Sequence, residues 1–286
     1  MAIELHPAQT FRMPRAFSVP RTAIWLFMAA ASFLVFFPLV WMALSSFKTS
    51  EELWRYPPTI WPEEFSFEGY RYIFTQLQFG RYFFNSVFIA AVSSIIAVLT
   101  SALAGYVFAK FQFRGKDVLF IAILASMMIP GTVLLIPRYV LINWLAWTDT
   151  YWAVIIPQGI SVFGIFMMRQ YMHGIPSDYI DAARVDGVSE FKIFAWIMLP
   201  LCKPALAALA ILSFIDSWGA LLWPLVVLNS PEMRTLPMGV AGLANVHGPQ
   251  LYYMLPAATI TVIPIVIVFA IFQRHFVNAM TSSGLK

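Results

Sequence analysis

One short segment of this chain concentrates charged side chains within an otherwise apolar sequence. Residues 178–192 hold four carboxylates and two cations, namely Asp178, Asp181, Asp186, Glu190, Arg184 and Lys192. Clustered charges of this kind can form ion pairs, cap helices or contact another protein. Asp216 is different, because it is the one carboxylate in the apolar run 204–230. A lone carboxylate in such a run is a candidate for binding a polar solute.

The remaining residues give little support for catalytic or metal-binding chemistry. Five residues are the usual candidates, and they are scattered: His6, His173, His247, His275 and the single Cys202. Their spacing fits neither a metal site nor a nucleophile with its base. A phosphate-binding loop needs G-x-x-x-x-G-K-[ST], but around Gly115-Lys116 the two ends of the pattern are Lys110 and Asp117. We therefore expect no enzyme activity, no metal and no cofactor in this chain.

The composition favours a membrane protein. A soluble domain has about 25% charged residues, whereas this chain has 11% charged and 60% hydrophobic residues. About 20 apolar residues cross a hydrocarbon core of roughly 30 Å. We predict an all-α integral membrane protein with six transmembrane helices, at about residues 23–45, 85–109, 118–137, 151–169, 204–228 and 255–273.

The positions of Lys and Arg predict the orientation of these spans. With the N-terminus inside, the inner segments hold twelve of the 18 Lys and Arg residues and the outer segments six. This excess predicts that both termini are cytoplasmic, as tails at residues 1–22 and 274–286. It also accounts for the net charge of +4 without a nucleic-acid partner. The first apolar run exceeds the roughly 7–15 residues of a signal peptide, so we expect it to be retained.

Residues 177–200 predict two short helices joined by a turn. Ser177 or Asp178 can cap the first helix and Ser189 the second. Gly187 stands where a chain that leaves a helix often adopts a left-handed conformation. Two interpretations stay open from this pattern alone: an amphipathic loop on the inner membrane face, or a docking element for a cytoplasmic partner.

The same segment resembles a motif of a known family. Asp181-Ala182-Ala183 is followed after three residues by Gly187, and after a further nine by Ile197-Met198-Leu199-Pro200. This spacing is similar to the Glu-Ala-Ala motif in the permease subunits of bacterial ABC importers. Asp181 replaces the Glu of that motif, which keeps the charge on a shorter side chain.

Further matches resemble the maltose-type carbohydrate importer permeases, from about residue 20 to the C-terminus. They are Met127–Pro130 with Ile136-Pro137, Leu222–Leu225 with Arg234–Pro237, and Gln273–Val277. The chain departs from that family at Gly219, where Asn is usual, and at Thr281–Lys286, where a Gly-rich tail is reduced. The first departure concerns the substrate, and the second concerns contacts of the tail with the ATPase.

The resemblance implies a specific role for the inner segment. Residues 23–273 would form the transmembrane domain, and residues 178–200, between the fourth and fifth spans, would form the coupling helix that sits in a cleft of a cytoplasmic ATPase. The residues expected to make that contact are Asp181, Ala182, Ala183, Asp186, Gly187, Ile197, Leu199 and Pro200. ATP and Mg would be bound by the ATPase dimer, and not by this chain.

The resemblance also implies the remaining partners. They would be a second, homologous permease, an extracytoplasmic solute-binding protein, a carbohydrate substrate and the lipid of a bacterial inner membrane. In that family the fourth and fifth spans line the solute path. Candidates on the path are Asp216, Ser217 and Trp218 in the fifth span, and Gln158 and Ser161 in the fourth. The structural alternatives are that Asp216 hydrogen-bonds the partner permease and that Gln158 satisfies backbone freed by Pro157.

Two other functions compete with the importer. An ion-coupled secondary transporter would usually carry several charges within its spans and internal repeats, whereas this chain has only Asp216 and no short repeat. A membrane scaffold without transport activity would explain the spans, but would not explain the spacing of Gly187 and Ile197–Pro200.

Overall fold

The protein is described by a computed structural model that covers residues 20–245 and 251–283. Within these ranges every regular element is helical, which confirms the predicted all-α class. The α-helices are α1 Arg21–Ser45, α2 Ser50–Leu53, α3 Glu68–Thr75, α4 Phe79–Lys110, α5 Lys116–Ala125, α6 Leu135–Trp144, α7 Tyr151–Gln158, α8 Val162–His173, α9 Asp178–Val185, α10 Glu190–Ile193, α11 Leu199–Leu201, α12 Lys203–Gly219, α13 Leu222–Val227, α14 Leu236–Asn245 and α15 Leu251–Ser283. Most of the predicted N-terminal tail, residues 1–19, and the end of the predicted C-terminal tail, residues 284–286, lie outside the described residues.

Four described helical segments are long and apolar enough to cross a membrane. They are Arg21–Ser45, Phe79–Lys110, Tyr151–His173 and Tyr252–Ile271. A fifth is obtained if Glu190–Leu201 and Lys203–Gly219, which meet at a bend of 82°, are counted as one broken span. The predicted third span, 118–137, is divided between α5 and α6, because Ile129 is extended before Pro130. The total of six spans therefore stays a prediction.

Helix α4 is the centre of the bundle. It packs against α8 and α12, and α12 in turn packs against α15. The middle of its buried face is rich in small side chains, including Ala90, Ser93, Ala97 and Ser101. Small residues let membrane helices approach closely, and close packing is what holds such helices together where no water is excluded.

The segment between α1 and α4 is held by buried polar contacts. Lys48 and Glu52 are both buried; the Lys48 ammonium donates to the Thr59 carbonyl, and the Thr59 hydroxyl donates to Glu52 Oε1. The segment is fastened to α15 where the Ser66 and Tyr252 hydroxyls lie 2.8 Å apart. By contrast, the apolar part of α1 has no buried residue, so this helix offers its side chains to lipid or to another membrane protein.

Gly164 permits a close approach of α8 to α4 and α12, and it generates the first prediction. A Cβ atom at this position would lie 3.0 Å from Leu209 Cδ1 and 3.0 Å from Ser101 Cβ. We expect Gly164→Ala to lower the apparent melting temperature of the detergent-purified protein by several degrees, because overpacking a core costs about 1–3 kcal/mol. The matched control is Gly80→Ala in α4, where a Cβ has no neighbour within 4 Å. Equal melting temperatures for the two variants would contradict the packing described here.

Candidate functional site

A polar cavity opens among α6, α7, α8 and α12. Its volume is about 590 Å³, and its apolar walls include Phe163, Leu209 and Leu212. The polar side chains that line it are Arg138, Gln158, Ser161, Ser213, Asp216 and Ser217. Four of the five residues that the sequence proposed for a solute path, Gln158, Ser161, Asp216 and Ser217, therefore meet at one cavity.

The cavity lies beside a break in the fourth predicted span. Helix α7 ends at Gln158, and α8 begins at Val162, with the Ser161 hydroxyl accepting a hydrogen bond from the Gly164 N–H at 3.0 Å. The backbone in the break is satisfied from α4, since the Thr100 hydroxyl donates to the Gly159 carbonyl at 2.9 Å. Irregular backbone is tolerated at membrane depth where it lines a cavity and its polar groups have partners.

Pro157 explains both the break and the position of Trp223. Proline has no N–H, so the Ala153 carbonyl one turn earlier loses its usual helical donor. The Trp223 indole N–H replaces it, at 2.9 Å from the Ala153 oxygen. This contact makes the predicted alternative role of Gln158, which was to satisfy backbone freed by Pro157, unnecessary at this carbonyl.

The side chain of Gln158 instead joins α7 to α12, which belong to the fourth and fifth predicted spans. Its Oε1 accepts a hydrogen bond from the Ser217 hydroxyl at 2.7 Å. Ser217 is buried, and together these two residues form a hydrogen-bonded part of the cavity wall. Ser161 lines the same cavity while it caps α8, so its hydroxyl oxygen serves the helix as well.

Asp216 and Trp218 point in different directions. Asp216 is exposed to the cavity and lies in the last turn of α12, because the helix ends at Gly219 and Ala220 is extended. Trp218 is only 1% exposed and does not line the cavity. Its indole N–H donates to the Thr261 carbonyl at 3.0 Å, and its ring packs against Phe214. Both residues were predicted to contact the solute, whereas in the structure Trp218 packs at the contact between α12 and α15.

Arg138 is the cavity residue that the sequence analysis missed, having counted it only among the outer cations. It lies in the first turn of α6, the second part of the divided third span, and its guanidinium carbon is 4.5 Å from the centre of the Trp223 ring. The signal that could have found it was a single cation directly after the apolar run 118–137. The lining thus contains one cation and one carboxylate.

The inner segment forms two helices joined at Gly187, as predicted. Helix α9 covers Asp178–Val185, and Gly187 has φ of +73°, which is the left-handed region expected of it. The predicted contact residues divide by exposure: Asp181, Ala182, Asp186, Gly187 and Pro200 are exposed, Ile197 and Leu199 are half-buried, and Ala183 is buried. The exposed members are available to a partner, while Ala183 packs inward against the bundle.

The second helix departs from the predicted form. Ser177 and Ser189 precede their helices, but neither side chain makes a capping hydrogen bond. Residues Phe194–Met198 form a wider π-helical turn, and the chain bends by 82° at Cys202 before α12. Pro200 and Pro204 account for this irregularity, because each lacks the N–H that a regular helix would use.

Glu190 fastens the inner segment to the end of α4. Its carboxylate accepts from the Tyr106 hydroxyl at 3.1 Å and from Arg184 Nε at 2.6 Å. Arg184 also pairs with Asp181 at 3.2 Å, and Lys110 Nζ donates to the Ile175 carbonyl. The hydrogen bond from Arg184 is the main reason that the pKa of Glu190 lies below its ordinary value. The ion pair is therefore fully formed at neutral pH and is lost only as acid protonates the carboxylate.

Comparison with known proteins gives close relatives over almost the whole chain. Residues 97–282 match the family described as "Binding-protein-dependent transport system inner membrane component". The arabinooligosaccharides transport system permease protein of Halalkalibacterium halodurans is 40% identical over 92% of this chain and 96% of its own length. Its counterpart in Bacillus subtilis is 37% identical over 94% and 97%, and the lactose transport system permease protein of Rhizobium radiobacter is 32% identical over 90% and 93%.

A solved structure has the same fold. It is described as a bacterial ABC transporter involved in the import of the acidic polysaccharide alginate. The matched chain superimposes with a TM-score of 0.80 over 91% of this chain and 99% of its own. The identity is 20%, so this likeness concerns the fold alone.

The contacts of Glu190 generate the second prediction. We expect Glu190→Ala to raise the rate of amide hydrogen exchange in residues 178–193 about fivefold, because an exposed ion pair contributes up to about 1 kcal/mol. Exchange in α8 should not change. The control is Asp186→Asn, since Asp186 is exposed and the described residues give its side chain no hydrogen bond or ion pair. If Glu190→Ala exchanged no faster than this control, Glu190 would not be what holds the segment.

Proposed function

Because the chain belongs to the family of binding-protein-dependent transport system inner membrane components, we propose that it is the permease subunit of an ATP-driven importer of oligosaccharides. It is a multi-pass membrane protein and not an enzyme, since ATP hydrolysis belongs to a separate subunit in such systems. The relatives named for arabinooligosaccharides and lactose support a sugar as the solute. The family membership and these names weigh against a self-contained ion-coupled transporter and against a scaffold.

The cavity is the observation that supports the transport role most directly. Gln158, Ser161, Asp216 and Ser217 line it between the fourth and fifth predicted spans. Hydroxyl, amide and carboxylate groups match the hydroxyl groups of a sugar, because each of them can exchange hydrogen bonds with a hydroxyl. We assign these four residues to the solute path. We assign Trp218 a structural role at the contact between α12 and α15.

The inner helix pair is the proposed contact with the ATPase. Most of α9 and Gly187 are exposed. Tyr106 on α4 binds Glu190, and Lys110 on α4 binds the Ile175 carbonyl just before α9. A push on α9 would thus reach the helix that packs against α8 and α12, whose side chains line the cavity. In this proposal ATP and Mg are bound by the cytoplasmic ATPase dimer, a second permease completes the channel, and a solute-binding protein delivers the sugar from outside.

We further propose six spans in a bacterial inner membrane, with both termini in the cytoplasm. The third span would be the broken pair α5 and α6, and the fifth would follow the bend at Cys202. The excess of Lys and Arg in the inner segments supports this orientation.

The proposal of an importer is tested by identifying the proteins that co-purify with the chain. A tagged chain would be purified from its native membrane in mild detergent, and the co-purifying proteins identified by mass spectrometry. Recovery of a second permease and an ATPase, followed by ATP-dependent sugar uptake after reconstitution with the binding protein, is the expected result. Recovery of the intact chain alone after crosslinking would overturn the proposal.

The left-handed residue of the helix pair provides a third prediction. We expect Gly187→Pro to abolish sugar uptake while the complex still reaches the membrane, because proline cannot adopt φ of +73° and removes the hydrogen bond from the Gly187 N–H to the Arg184 carbonyl. The matched control is Gly115→Pro, at φ of +84° in the turn before α5. Loss of uptake in both variants would indicate a general folding defect, and normal uptake with Gly187→Pro would rule out the coupling role.

The single cysteine allows a test of the proposed orientation. Cys202 is the only cysteine and is fully buried, so it should give little background with a thiol reagent. In right-side-out membrane vesicles, a membrane-impermeant maleimide is expected to label Glu51→Cys directly. Arg114→Cys should be labelled only after the vesicles are opened. The reverse pattern would invert the orientation.

A further inference from the structure

We propose that Arg138 and Asp216 bind the passing sugar together, and that this pair selects neutral sugars over acidic ones. The inference rests on the proposed function and adds a recognition residue and a substrate class to it. Both residues line the cavity, and they are its only charged side chains among the described residues.

The Arg138 guanidinium packs against the ring of Trp223. The planar guanidinium lies over the Trp223 ring, with 4.5 Å between its central carbon and the ring centre. Trp223 is 7% exposed, and its indole N–H is fixed on the Ala153 carbonyl that Pro157 leaves free. A guanidinium over the face of an aromatic ring is attracted by the ring and does not use its N–H groups on a hydrogen-bond acceptor there.

The N–H groups of the Arg138 guanidinium have no acceptor among the described residues. Across residues 20–245 and 251–283, no hydrogen bond or ion pair is made by the Arg138 side chain, although it is half-buried. A cation within a membrane protein that lacks an acceptor is costly and usually marks a solute or ion path. A guanidinium that lies over a tryptophan ring, lines a cavity and has no acceptor among the described residues is therefore suited to an acceptor that arrives from outside the chain.

Asp216 complements it across the same cavity. In the described part of the chain its carboxylate has no hydrogen bond and no cation within 4.0 Å, so Arg138 and Asp216 do not neutralise each other directly. One side chain only donates hydrogen bonds, and the other, when ionised, only accepts them. Together they require a solute that does both.

A neutral sugar meets this requirement, because each hydroxyl can donate and accept. An acidic sugar meets it less well, because its carboxylate would pair with Arg138 but would be repelled by the carboxylate of Asp216. The formal charges of the lining sum to zero, which leaves no excess of positive charge for an acidic solute. The cavity therefore favours a neutral sugar over a uronate.

The first measurement is equilibrium binding to the detergent-purified complex without its binding protein, so that the permease alone selects the sugar. The probes are the neutral arabinotriose, or another neutral sugar that the reconstituted complex imports, and the acidic digalacturonate. We expect the neutral probe to bind and the acidic probe not to compete.

Arg138→Gln should weaken neutral binding about tenfold or more, because it removes a hydrogen bond from a charged donor. Asp216→Asn should admit the acidic probe.

Three controls make the result decisive. Arg71→Gln removes an exposed cation outside the cavity and should change nothing. Arg138→Lys keeps the charge without the planar fork and should restore binding only in part. Recovery of the second permease and the ATPase is measured for each variant, because loss of a subunit with Arg138→Gln would mean that Arg138 pairs with the partner.

The outcomes separate this inference from the proposed function. Failure of the reconstituted complex to take up any sugar with ATP would overturn the function. Uptake with unchanged neutral binding in Arg138→Gln, absence of neutral binding to the unmodified complex, or import of an acidic sugar would each overturn the inference and leave the function standing.

Discussion

The cavity depends on one hydrogen bond, from the Trp223 indole N–H to the Ala153 carbonyl. A backbone carbonyl without a donor is expensive in a membrane, since no water is present to replace the lost bond. Pro157 creates such a carbonyl, and the indole of a distant segment satisfies it at 2.9 Å. The bond fixes α13 against α7, and it presents the ring face on which Arg138 lies. Pro157 therefore interrupts the helix and also accounts for the packing of Trp223, and with it Arg138, beside the break.

Helix α4 relates the cavity to the inner segment. Thr100 on this helix donates to the Gly159 carbonyl in the break between α7 and α8. Tyr106 and Lys110, further along the same helix, donate to Glu190 and to the Ile175 carbonyl. Between these points α4 is regular and buried against its neighbours. Both ends of the proposed transport cycle are thus attached to one continuous element, which explains how they can be coupled without direct contact.

Much of this arrangement could be predicted from local sequence. Long uncharged runs identified the helices of the bundle, and Gly187 was correctly expected to have a left-handed backbone. The features that escaped prediction depend on contacts between distant segments. Arg138 was noted only as a cation outside a span, because its partner Trp223 lies 85 positions away. Trp218 was grouped with Asp216 because they are neighbours in sequence, although helix geometry turns them to different sides. The division of the third span at Pro130 was missed because the run 118–137 carries no charge, although Pro130-Gly131 is a local turn signal.

The length of α4 has a mechanical consequence. Its 32 residues contain no proline and form one rod of about 48 Å at about 1.5 Å per residue. Small side chains in its middle pack against the neighbouring helices, and near its N-terminal end Asn85 donates to the carbonyls of Glu232 and Arg234. A rod pivoting at its middle by about 5° would move its two ends by about 2 Å in opposite directions. In the proposed transport cycle, such a motion would close the bundle at one end of α4 while it opened the bundle at the other end.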